Sequence, residues 1–81
     1  TEQVVSLLRA LGAREMGTRD LMKALNLSHR PTFLANYLDP ALKAGLVERT
    51  DPDSPRSPRQ KYRLTGLGLK LANARRKKVD E

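Results

Sequence analysis

The chain has 81 residues, enough for one small domain with one hydrophobic core. One Phe, two Tyr and no Trp leave that core to leucine, and the absence of cysteine excludes a disulfide framework and a thiolate zinc site. The net charge is +7 and lies on one side of the sequence: residues 1–55 hold seven Lys/Arg against seven Asp/Glu, whereas residues 56–78 hold nine Lys/Arg and no acid. Such asymmetry points to a polyanion partner, or to a solvated basic end that keeps a small domain soluble.

In chain order, residues 2–11 carry Val4, Leu7, Leu8 and Leu11 at i, i+3, i+4 and i+7, which predicts a first helix ended by Gly12. Residues 13–17 read as a short connection. Thr18 is expected to cap a second helix over residues 19–25, with Asp20 in its first turn and Leu21, Leu25 and Leu27 facing inward. A turn over residues 26–28 has the length found between the two helices of a helix-turn-helix. The next helix, residues 28–45, is predicted with Ser28 as its cap and Gly45 as its stop. Phe33, Leu34, Tyr37, Leu38, Ala41 and Leu42 form its inner face, and Thr32, Ala35, Asn36, Asp39 and Lys43 its outer face. Pro31 suits a first turn. Pro40, inside the apolar period, is expected to kink or split the helix near residues 37–39.

After Gly45 the period becomes two. Residues 46–50 and 61–65 read as strands with Leu46, Tyr62 and Leu64 inward. Between them lie residues 51–60, DPDSPRSPRQ, whose three prolines predict a long, semi-extended hairpin loop. Thr65 should cap a last helix weakened by Gly66 and Gly68, with Leu67, Leu71 and Ala74 as its inward stripe. A two-stranded ribbon is marginal alone and needs the helices to cover it. The fold class is therefore α+β, mostly α: a winged helix-turn-helix with three helices, a two-stranded β wing and a C-terminal helix. Residues 1–74 form the domain and residues 75–81 a basic, frayed tail. The chain opens on Thr1 rather than Met, so it reads as a fragment of a larger protein. No apolar run is long enough to span a bilayer, and a cytoplasmic location is expected.

Two phrases resemble a winged-helix family: Asn36-Tyr37-Leu38-Asp39-Pro40-Ala41-Leu42 with Ala44-Gly45-Leu46-Val47-Glu48, and Gln60-Lys61-Tyr62-Arg63-Leu64-Thr65. The chain is similar there to the C-terminal domain of bacterial Fic-type proteins, and of proteins described as RecG-related ATP-dependent DNA helicases or transcriptional regulators. The resemblance spans roughly residues 3 to 72. It implies the winged-helix fold and an accessory role, and brings no binding residues with it.

Catalysis is not expected from this chain. His29 is the sole histidine, Gly66-Leu67-Gly68 is too short for a dinucleotide fingerprint, and no phosphate-binding glycine loop precedes a lysine. No metal or cofactor is expected either. Double-stranded DNA is the expected partner. Arg30, Thr32, Asn36 and Lys43 would face the major groove from the third helix, where Asn reads adenine and Arg reads guanine. Arg56, Arg59, Lys61 and Arg63 on the wing, with Arg75 and Arg76 at the end, would hold phosphates. The alternative is an architectural module whose outer face packs on other domains of the parent chain. The Pro-rich spacing would also suit a polyproline ligand.

Overall fold

The computed structural model describes the backbone of residues 2–54 and 56–80 and the side chains up to Ala74. Five α-helices and a two-stranded antiparallel sheet follow one another as α1 (Glu2–Leu11), α2 (Thr18–Ala24), α3 (Arg30–Phe33), a π-helical turn (Leu34–Leu38), α4 (Asp39–Lys43), β1 (Val47–Arg49), β2 (Tyr62–Leu64) and α5 (Gly66–Asp80). The four apolar residues predicted for α1 are all buried. They pack on Leu21 from α2, on Phe33, Leu38 and Ala41 from the central helical segment, and on Leu46, Val47, Tyr62 and Leu64 from the sheet and its approach. Burying one such leucine or the phenylalanine contributes about 1.5–3 kcal/mol. Phe33 also stacks on Tyr37, with ring centroids 6.1 Å apart.

From Arg30 to Lys43 the backbone stays in the right-handed helical region, so α3, the π turn and α4 form one rod. The break expected from Pro40 takes the form of that π turn. Proline has no N–H to give to the carbonyl four residues back, and its ring crowds that carbonyl. One wider turn just before Pro40, over Leu34–Leu38, takes up the mismatch. The inner face is as expected, and Ala35, Asn36, Asp39 and Lys43 are exposed, while Thr32 is half-buried.

Several local expectations are corrected. The N-cap of the third helix is His29, not Ser28, and its ring Nδ1 shares a 2.6 Å hydrogen bond with the Thr32 hydroxyl. Thr18 opens α2, and Gly17 holds the cap position without a side-chain bond. The turn between α2 and α3 is made by Asn26 at φ 58, a left-handed conformation that Asn tolerates better than most residues. The connection after α1 is not bare either. Met16 bridges Tyr62 through two backbone hydrogen bonds of 3.0 and 2.8 Å, so the ribbon gains a short third neighbour.

β1 and β2 pair in the register Val47–Leu64, Glu48–Arg63, Arg49–Tyr62. Both Leu46 and Val47 are buried, where strict alternation predicted Leu46 alone. Leu46 lies before the strand: its N–H bonds the Ala41 carbonyl and its carbonyl accepts from Thr65 N–H, so it closes the helix end rather than extending the pleat. The loop is not semi-extended. Three successive turns, each closed by an N–H to the carbonyl three residues back, run from Asp51 to Ser54, Ser57 and Gln60.

Thr65 caps α5 as expected, its Oγ1 accepting from Gly68 N–H at 3.1 Å and donating to the Gly45 carbonyl at 2.6 Å. The face that α5 turns inward differs from the expected one. Gly68 is buried and Ala72 packs on the core, while Leu67, Leu71 and Ala74 are exposed. The reason is backbone proximity: a Cβ on Gly68 would lie 2.0 Å from the Leu46 carbonyl oxygen, so the helix seats its smallest residue there. The backbone continues helical past Ala74 to Asp80.

Candidate nucleic-acid interface

A groove of about 580 Å³ opens between the starts of α2 and α3 on one wall and the β1–β2 loop on the other. Arg19 and Arg30 line the helical wall, and Arg56 and Lys61 line the loop wall. Asp20 is the one acidic residue lining it. A shallower hollow of about 350 Å³ on the α2 side shares Arg19 and Arg30 and adds Lys23. The two form a track of five exposed cations, none with an ion-pair partner among the described residues.

The loop wall is held in shape by Gln60, a buried polar side chain. Its Oε1 accepts from Asp51 N–H at 3.0 Å, and its Nε2 donates to the Asp51 carbonyl and, at 3.1 Å, to the Ser54 carbonyl. One amide thus ties together both ends of the first turn. Ser57 Oγ accepts from Arg59 N–H at 3.1 Å, and Thr50 Oγ1 from Lys61 N–H at 3.2 Å. Gln60→Ala is expected to cost about 1–3 kcal/mol, since it orphans partly buried backbone groups. Thermal melts would read that loss, and trypsin should cut after Arg56 and Arg59 faster than in the parent chain.

Of the residues proposed from sequence, Arg30, Arg56 and Lys61 come together in the groove. Asn36 and Lys43 are exposed farther along the rod and do not line it. Thr32 is engaged by His29. Arg59 is exposed beside the groove without lining it. Arg63 is committed elsewhere: its guanidinium donates to Glu48 at 2.6 Å and to Glu15 at 3.3 Å on the outer face of the sheet. The Glu48 hydrogen bond and charge, then Glu15, hold Arg63 above the usual arginine range. Its charge is locally balanced. The side chains of Arg75 and Arg76 lie outside the described residues.

Arg19 and Lys23 were not foreseen, because the first 55 residues sum to zero charge and their cations looked balanced. One signal was present. Arg19 occupies the first turn of α2, where a positive charge opposes the helix dipole, and such a placement calls for another reason. Among the described residues no group of three or more His, Cys, Asp or Glu could hold a metal ion, and no helix is long and apolar enough to cross a membrane.

The fold is a small, mostly helical α+β domain, with exposed cations on the starts of α2 and α3 and on the loop between the strands. The sequence profile of the Filamentation induced by cAMP protein Fic-like, C-terminal domain, matches residues 2–65, and the chain belongs to that family. The crystal structure of a Fic family protein from Desulfovibrio desulfuricans G20 is similar, with 62% identity and a TM-score of 0.79 over 82% of this chain. The match spans only 20% of that protein's chain. No curated protein matches. Neither match names a helicase.

Proposed function

We propose that this chain is an accessory winged-helix domain that binds double-stranded DNA, chiefly through phosphate contacts. The observation that carries the reading is the continuity of Lys23, Arg19, Arg30, Lys61 and Arg56 from α2 across the start of α3 to the loop. In helix-turn-helix domains the start of the second helix of the motif enters the major groove, and here Arg30 stands at that start, across the groove from Arg56. The order α1, bridge at Met16, α2, α3, β1, β2 supports the winged-helix assignment. Base reading is modest: Arg30, at the start of the second helix of the motif, is placed to reach a guanine edge, and Asn36 would contribute only where the duplex follows the rod. A cytoplasmic location accompanies this reading.

Fluorescence anisotropy of a random-sequence duplex across a salt series tests it. Four to five phosphate contacts predict a slope of log K against log salt of about −4. Absence of binding at roughly 50 mM salt, where such contacts are strongest, overturns the proposal.

The accessory role in a larger Fic-type protein is independently supported by the family match and by the one-fifth span of the Desulfovibrio desulfuricans structure. Catalysis would then belong to the remainder of such a protein, and the domain would place that remainder on its target.

A further inference from the structure

We infer that the outer face of α5 is the seat on which this domain docks against the remainder of its own Fic-type polypeptide. Leu67, Leu69 and Leu71 are 57%, 39% and 39% exposed, and they are the exposed large hydrophobic residues among those described; Leu69 borders a hollow with Leu8, Leu64 and Ala72, which leaves Leu67 and Leu71 on the outer flank. All three belong to one helix. Leu67 and Leu71, spaced i, i+4, stand one above the other, and Ala74 extends their stripe by a further turn. Helices in contact with water normally place such a stripe on the core. Here the close approach of Gly68 to the Leu46 carbonyl reverses the helix, so the outward orientation is built into the packing.

Size and charge select the occupant. Two partly exposed leucines and an alanine fall well short of the roughly 800 Å² per partner that a stable interface between separate proteins uses. A contact within one polypeptide needs far less, because the tether supplies an effective concentration in the millimolar range. The family match makes this chain a C-terminal domain, and four fifths of the related solved chain lies outside the aligned part. A second copy is disfavoured, since each α5 brings Lys70 beside its leucines and each chain carries +7. The surface that fits is an apolar helix face rimmed by Asp or Glu on the preceding part of the same chain. This docking does not depend on DNA binding, because α5 does not line the cationic groove.

The test replaces the aligned fifth of the Desulfovibrio desulfuricans Fic family protein with this chain and compares hydrogen exchange in that chimera with the 81-residue chain alone. Amides over residues 69–74 should exchange at least tenfold more slowly in the chimera, and the L67E/L71E variant should abolish the difference. The same variant of the 81-residue chain should keep the circular dichroism and melting temperature of the parent. Equal exchange in both settings overturns the proposal. So does unfolding of the L67E/L71E chain, which would make these leucines core. Concentration-dependent dimerisation of the 81-residue chain, abolished by L67E/L71E, would assign the face to a second copy and overturn it as well.

Discussion

Gly68→Ala should lower the melting temperature by roughly 12–24 °C. The added Cβ would stand 2.0 Å from the Leu46 oxygen and 3.0 Å from its carbon, both backbone atoms that cannot rotate away. That carbonyl is fixed in turn, because it accepts the Thr65 N–H at 3.0 Å. The helix must therefore lift from the sheet or the β1 entry must shift, and overpacking of this kind costs about 3 kcal/mol. In a domain of this size each kcal/mol moves the midpoint by about 4–8 °C. The loss is a sizeable share of the 5–15 kcal/mol that holds a typical domain together. Gly66→Ala is the control. Nothing lies within 4 Å of a Cβ there, so a methyl should be neutral or gain up to about 1 kcal/mol from helix propensity. If both variants melted alike, the close approach of α5 to Leu46 would be disproved.

The second large effect concerns binding. Replacing Arg19, Arg30, Arg56 and Lys61 together by Gln should flatten the salt slope by about 3.6, at 0.9 per phosphate contact. At about 0.1 M salt each lost contact is worth somewhat under tenfold, so duplex affinity should fall roughly a thousandfold. The loss should be similar for unrelated duplex sequences, because phosphate contacts carry no base information. Arg63→Gln should alter the slope by much less than one contact, its charge being already engaged by Glu48 and Glu15. A fourfold variant that melts like the parent and keeps the full slope would move the phosphate surface away from the groove. An Arg63→Gln effect as large as one groove cation would show that the ion pairs open on binding.

Local pattern alone determined a good deal. The stripe of α1, the inner face from Phe33 to Leu42, the glycine stops at Gly12 and Gly45 and the Thr65 cap all rest on interactions within a few residues. Periodicity and backbone conformation report such interactions directly. Pro40 likewise announced a break, since its missing N–H is a property of the residue itself.

Contacts between segments distant in sequence were decided by tertiary structure. Which face of α5 turns inward depends on Leu46, more than 20 residues earlier, and a steric limit of one Cβ outweighed the leucine pattern. Arg63 looked like a free cation until the sheet register set it opposite Glu48 and the fold brought Glu15 beside it. Gln60 read as a loop residue, yet its amide organises the loop because three turns fold back on it. Arg19 and Lys23 joined the cationic track because the fold sets the start of α2 across the groove from the loop and next to Arg30, while their charge cancels in any count along the chain. Helices and strands form where short-range periodicity demands them, whereas a surface collects side chains that only the packed fold makes neighbours.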